Sequence, residues 1–194
     1  GERADVVIDF SSPDNQTELL DYCVRTKTPL VLATTGQTEK QTEEIYSAAD
    51  IIPILKTANT SSTVNMFIEL AGKLAKTLSD YDIEIIETHH RNKKDAPSGT
   101  AMQILKEIEK NRNIENITFE RHDSSRENNE IGVHSVRGGT ITGEHSVYFF
   151  GKYDSITITH SASSRRLFAD GALKAAEFIL DKPAGLYNQS DIKK

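Results

Sequence analysis

The chain is poor in cysteine: Cys23 is the only one in 194 residues. A single thiol excludes an internal disulfide framework and fits a reducing compartment. Long apolar runs are missing as well, far short of the ~20 residues that span a bilayer, so no membrane partner is expected. No signal-peptide pattern opens the sequence, and the first residue is Gly1 rather than Met, a start that reads as a cut. Positive charge is not in excess. The formal net charge is −6, which removes the electrostatic argument for nucleic acid or an anionic membrane as partner. No internal repeat and no low-complexity segment occurs. What is present, 37% hydrophobic and 27% charged residues, suffices for a packed core and argues against wholesale disorder. These features describe a soluble, cytoplasmic protein of mixed α/β class.

Strand and helix signals alternate through the first 57 residues. Asp5 to Phe10 is a short run rich in β-branched residues, and Ser11-Ser12-Pro13-Asp14 forms a turn and helix start. Leu19, Leu20, Cys23 and Val24 follow at helical spacing. Pro29 to Ala33 is continuously apolar, as expected of a strand buried on both faces, and it ends in Thr34-Thr35-Gly36. A polar amphipathic segment covers Thr38 to Ala49, and Ile51 to Leu55 gives a third strand, which Pro53 places near an edge or a start. This alternation predicts a parallel sheet with right-handed crossovers.

A longer helix is predicted over 63–78, an alternating strand over 83–87 and a further helix over about 98–110. Then the character changes. Strand runs at 117–119, 133–136, 145–150 and 155–159, the later ones separated by glycine-containing turns, predict a largely antiparallel sheet. A final helix is expected over about 168–180, its apolar face packed back on the parallel sheet, stopping at Pro183.

The densest chemistry lies between Glu87 and Ala101, where His89, His90, Arg91, Lys93 and Lys94 precede Pro97-Ser98-Gly99-Thr100. A helix start built from small hydroxyl residues and glycine leaves backbone N–H groups free for an anion, reinforced by the helix dipole. Histidine titrates near neutrality and exchanges protons there. Each feature has a plainer reading: adjacent histidines on a surface, cations in a solvated loop, an ordinary helix cap. Zinc is a weak alternative, because Cys23 is alone and no His-x3-His spacing is present. Their joint occurrence favours a site for a carboxylate or phosphate ligand over four separate coincidences.

Glu87 to Ala101 resembles the E-x-H-H-x-x-K-x-D-A-P-S-G-T-A signature of the dihydrodipicolinate reductase family, also called 4-hydroxy-tetrahydrodipicolinate reductases. The likeness extends to Val7–Pro13, Ala33–Gly36, Thr57–Ser61, Ser135–His145, His160–Arg165 and Phe168–Ala172, so nearly the whole chain is covered. It implies a bacterial-type, cytoplasmic homotetramer of lysine and diaminopimelate biosynthesis. Its substrate would be a small cyclic dicarboxylate, 4-hydroxy-tetrahydrodipicolinate, reduced to tetrahydrodipicolinate by hydride from NADH or NADPH. Position by position, His89 resembles the acid/base histidine and Lys93 the cationic proton donor. His90 resembles a substrate ligand, and Ser98, Gly99 and Thr100 the turn whose amides hold one carboxylate. Ala33, Thr34 and Thr35 resemble the turn beside the nicotinamide, and Thr57, Ala58, Asn59 and Thr60 the second cofactor-lining loop. No metal is implied. Ligands of open α/β sheets bind at the C-terminal ends of the strands, where both cofactor turns fall.

The chain departs from the family pattern in three places. No G-x-x-G-x-x-G stretch precedes Asp5. Roughly two βα units, about 60 residues, are expected to be lacking, and with them the helix start that grips the pyrophosphate. Ala33 stands where glycine is common, and Thr60-Ser61-Ser62-Thr63 replaces Phe-Ser-x-Gly. The residues that choose between NADH and NADPH belong to the lacking half. The expected fold class is therefore α/β: an incomplete Rossmann-like parallel sheet plus an α+β domain with a mostly antiparallel sheet. Residues 1–58 with 166–194 would form a truncated dinucleotide-binding domain, and residues 59–165 the substrate-binding and tetramerisation domain. The alternative reading is a non-catalytic oligomerising module that binds a dicarboxylate but not the dinucleotide.

Overall fold

The computed structural model describes residues 3–193. The chain divides into two compact units, residues 1–62 with 166–194 and residues 63–165.

The first unit is built on a parallel sheet. Its elements are β1 (Val7–Asp9), α1 (Gln16–Thr26), β2 (Leu30–Leu32), α2 (Glu39–Ala49) and β3 (Pro53–Lys56). Late in the chain come α5 (Arg166–Ile179) and β9 (Gly185–Tyr187). The strands run in the order β1-β2-β3-β9, all pairs parallel. Alternation along each strand divides the core in two. Leu30, Leu32 and Ile54 pack with Leu20, Cys23, Ile45, Ala48 and Ile52 on the α1/α2 side. Val31 and Leu55 pack with Ala175, Ala176 and Ile179 of α5 on the other. Both faces of β2 are covered, which is why its sequence shows no polar alternation. Each fully buried aliphatic side chain here stabilises the fold by roughly 1.5–3 kcal/mol. Thr38 starts α2 with a capping box, its side chain accepting from the Gln41 N–H while the Gln41 side chain accepts from the Thr38 N–H.

Pro53 is the first residue of β3, a place where its missing N–H removes no central ladder bond. Strand β9 lay outside the sequence expectation. It pairs Gly185, Leu186 and Tyr187 with Pro53, Ile54 and Leu55, and three residues are too few to display a period.

The second unit holds α3 (Ser62–Thr77, entered from the first unit), β4 (Asp82–His89), α4 (Gly99–Asn111), β5 (Asn116–Thr118), β6 (Glu130–Arg137), β7 (Gly143–Phe150) and β8 (Ser155–Ala162). Its sheet order is β5-β6-β4-β7-β8. The long crossover through α4 makes β4 and β6 parallel, as are β5 and β6. A short turn reverses the chain from β6 into β7, so β7 runs antiparallel to β4, and a second short turn makes β7–β8 antiparallel. Ile83, Ile85, Ile131, Val133, Val147 and Phe149 form the buried face. Helices α3 and α4 bury Val64, Phe67, Ala71, Ala101, Ile104, Leu105 and Ile108, and they approach closely at Gly72, where a β-carbon would lie 2.8 Å from the Asn111 amide nitrogen. On the opposite sheet face Tyr148 and Phe150 stack at 5.7 Å, and Phe150 and Val136 are exposed. Among the described residues, no helix is long and apolar enough to cross a membrane.

Candidate active site

The alternation of β4 places Glu87 and His89, two residues apart, on one face of the sheet. Both are buried, Glu87 completely. His89 Nδ1 lies 2.6 Å from Glu87 Oε2. The Arg137 guanidinium grips the same carboxylate in a fork, Nη1 to Oε2 at 2.8 Å and Nη2 to Oε1 at 2.7 Å. The Ser98 N–H completes the set by donating to Oε1 at 3.1 Å. Burial alone would push the Glu87 carboxyl up, but hydrogen bonds from Arg137, Ser135 and His89 outweigh it and hold the group at about 2. With a permanent anion on Nδ1, that nitrogen carries the proton and donates it, leaving Nε2 as the exchanging position. Burial lowers the His89 imidazole from its ordinary value, Glu87 offsets part of that, and the charges of Lys93 and Arg137 lower it further.

A second histidine completes the cluster. Cross-strand register sets His145 of β7 opposite Glu87, with its ring edge-on to His89 at 5.2 Å. Burial, with a smaller contribution from His89, lowers His145 to about 4, so its ring is neutral near pH 7. Its Nε2 is hydrogen-bonded to the Ser98 hydroxyl at 2.8 Å, and the Ser98 oxygen accepts from the Ala101 N–H at 3.1 Å as the N-cap of α4. Ser98 therefore spends both its hydroxyl and its backbone N–H inside the protein and serves as a brace. Among the described residues, the N–H groups of Gly99 and Thr100 at this helix start have no partner, which leaves them as its orphan donors. A β-carbon added at Gly99 would meet nothing within 4 Å, so open space lies in front of the turn.

The other expected residues of this unit gather around the same strand end. Lys93 Nζ donates to both oxygens of Asp95, at 2.9 and 2.8 Å, and its charge bears on His89 and His145. His90 diverges from His89 and approaches Arg165, Nε2 to Nη2 at 3.4 Å. The Arg137 fork also reaches the Asp95 carbonyl at 2.7 Å, tying the cationic loop to the buried carboxylate.

In the first unit the strand ends are tied by buried polar groups. Thr34 donates its hydroxyl to Asp9 Oδ2 at 2.5 Å, and Ser11 donates to Asp9 Oδ1 at 2.6 Å. Thr35 and Gly36 are exposed, Gly36 with φ +87°, a conformation that favours glycine. Thr57 donates its hydroxyl to the Asn59 carbonyl, and Thr60 donates to the Phe168 carbonyl of α5, both at 2.7 Å. Ala58 is exposed between them. The hydroxyls of Thr34, Thr57 and Thr60 and the carbonyls of Thr34, Asn59 and Thr60 are engaged within the unit, while Thr35, Gly36 and Ala58 are exposed at the C-terminal strand ends. This is the end of an open α/β sheet at which ligands bind. Among the described residues, no group of three or more His, Cys, Asp or Glu is placed to hold a metal ion.

Residues 1–60 match the family described as dihydrodipicolinate reductase, N-terminus, and residues 63–192 the one described as dihydrodipicolinate reductase, C-terminus. The chain is 44% identical over 193 residues to the 4-hydroxy-tetrahydrodipicolinate reductase of Rickettsia bellii, covering all of this chain and 77% of that protein. The chain belongs to the dihydrodipicolinate reductase family. A second relative, the 4-hydroxy-tetrahydrodipicolinate reductase of Caldanaerobacter subterraneus, is 46% identical over 200 residues, covering all of this chain and 78% of that protein. Among solved structures, the dipicolinate-bound dihydrodipicolinate reductase from Paenisporosarcina sp. TG-14 superposes with a TM-score of 0.78 at 25% identity, covering 95% of this chain and 71% of its own. The protein is thus an oxidoreductase of the 4-hydroxy-tetrahydrodipicolinate class, with the α/β fold of that family.

Within the family motif, reading the sequence alone gave no role to Glu87, Arg137, His145 or Gly143. One signal was available: Glu-x-His on an alternating strand puts carboxylate and imidazole side by side. Arg137 and His145 come from β6 and β7, and only the strand register brings them to Glu87. Gly143, at the start of β7, makes room for the His89 ring, since a β-carbon there would lie 2.8 Å from Nε2.

Proposed function

We propose that His89 is the acid/base group and Lys93 the neighbouring cationic proton donor of the reduction, and that the amides of Gly99 and Thr100 hold one substrate carboxylate. Ser98 shapes that turn, and His90 with Arg165 offers a second polar contact to the dicarboxylate. The first unit is the dinucleotide-binding domain, its Ala33-Thr34-Thr35 turn and its Thr57-Ala58-Asn59-Thr60 loop lining the nicotinamide of NADH or NADPH. When bound, that nucleotide supplies the hydride. The rest falls to the chain. A ring that accepts a hydride gains electron density, and a fixed ammonium and a poised imidazole lower the cost of that charge. The observation that carries this reading is the Glu87–His89 contact at 2.6 Å beside a helix start with uncommitted N–H groups.

The assay is loss of reduced-nicotinamide absorbance with and without the cyclic dicarboxylate. Oxidation dependent on that substrate is expected, and His89→Gln should lower turnover about 100-fold or more while leaving the circular dichroism spectrum intact. Unchanged turnover in that variant would remove His89 from the chemistry. Tyr148, Phe150 and Val136, the apolar part of the open sheet face, supply the contact between copies of a homotetramer in the cytoplasm, the expected setting for lysine and diaminopimelate biosynthesis.

A further inference from the structure

We infer that Glu87, locked by Arg137, is the positioning residue of this site: it fixes His89 as the Nδ1–H tautomer and fastens that imidazole to the anion-holding turn of α4. The inference rests on the role proposed above for His89.

The carboxylate has no other evident task. It is fully buried, so it cannot meet substrate. Its four ligands come from three segments: His89 on its own strand, Arg137 and Ser135 on β6, and Ser98 at the head of α4. A buried carboxylate is costly unless fully paired, and here each oxygen takes two of the described donors, Arg137 and His89 on Oε2, Arg137 and Ser98 on Oε1. The pairing transmits position. Arg137 also holds the Asp95 carbonyl, next to the carboxylate that binds Lys93. Imidazole, ammonium and anion turn are therefore all referenced to one fixed anion. Gly143 works from the opposite side, because a β-carbon there would displace the His89 ring from Glu87. A misplacement of about 1 Å is enough to cost two orders of magnitude in rate.

The charged and titratable groups facing His89 are Glu87 on β4, Arg137 on β6, His145 on β7 and Lys93 in the loop. Glu87 alone favours the imidazolium; the cations oppose it. Removing the negative charge must therefore move the His89 titration to lower pH. A glutamine cannot replace it, because Arg137 needs two acceptors and the amide has one.

The test compares wild type with Glu87→Gln, Glu87→Asp and Glu87→Gln/Arg137→Gln, the double variant leaving no unpaired buried charge if the single one fails to fold. In Glu87→Gln, kcat should fall about 100-fold with a smaller change in KM, and the limb of the pH profile governed by His89 should move down. Glu87→Asp should restore part of kcat. Independently of activity, imidazole nitrogen-15 spectra of the resting protein should show the Nδ1–H form at His89 in wild type and a mixture in both glutamine variants. Wild-type kcat, pH limb and tautomer in a folded Glu87→Gln or double variant would overturn the assignment. If His89→Gln loses activity while Glu87→Gln keeps it, only the positioning role fails. If His89→Gln is itself fully active, the catalytic reading fails instead, and the spectra still decide whether Glu87 sets the tautomer.

Discussion

Replacing a helical glycine with alanine ordinarily stabilises a helix by about 1 kcal/mol. Gly171 in α5 should do the reverse. A β-carbon there would lie 2.1 Å from the Thr60 carbonyl oxygen and 2.7 Å from its carbon, whereas a carbon–oxygen contact settles near about 3.3 Å. Helix and loop must separate by about 1 Å, a displacement that costs roughly 1–3 kcal/mol in a packed core. Neither side yields freely. The Thr60 hydroxyl donates to Phe168 at 2.7 Å, and its carbonyl accepts from Gln189 at 3.1 Å. On the other side, α5 is packed through Ala175, Ala176 and Ile179 onto Val31 and Leu55. Losing one of those hydrogen bonds adds about 1 kcal/mol. After subtracting the helix gain, Gly171→Ala should be about 1–3 kcal/mol less stable than wild type. The chain has no tryptophan and six tyrosines, so urea unfolding followed by far-ultraviolet circular dichroism and tyrosine fluorescence is the suitable assay. An unfolding midpoint equal to or above that of wild type would refute the argument.

Two further outcomes are expected. Gly143→Ala should leave a folded protein with strongly reduced turnover, because the new methyl group meets His89 Nε2 at 2.8 Å and this ring is braced by Glu87; a normal rate would show that His89 need not sit against β7. Stability should fall on acidification. His145 is held neutral, its folded value of about 4 lying below the ordinary 6.5. Its contribution is therefore complete above pH 6.5 and is lost as the pH drops toward 4, roughly 3 kcal/mol at full effect. Glu87 acts in the same direction over a lower window, from its ordinary 4.5 down to about 2. Urea midpoints across this range, in wild type and in His145→Gln, check both; a flat profile between pH 6.5 and 4 would contradict the burial of a neutral ring.

The parallel strands could be read from the chain because both faces of β2 are covered and its residues show it. The end of β4 could be read because chemistry there is concentrated in consecutive residues. What escaped was whatever depends on register. Nothing in the residues around Arg137 says that its fork closes on Glu87, 50 positions away, and nothing near His145 says that its partner is the Ser98 hydroxyl. Ser98 illustrates the limit well. A Ser-Gly-Thr turn at a helix start suggests several donors for an anion, yet Ser98 spends its N–H on Glu87 and its hydroxyl on His145 and the Ala101 N–H. Strand β9 escaped for another reason: Gly185–Tyr187 is held by its partner β3 and not by any pattern of its own.

The first unit is assembled from the two ends of the chain, whereas residues 63–165 form a continuous stretch. During synthesis the second unit can fold as soon as it emerges from the ribosome. The first must wait, with Val31 and Leu55 uncovered, until α5 and β9 have been made more than a hundred residues later. A nascent chain stalled before residue 166 would therefore present an apolar strand face to chaperones and proteases while its other half is already native.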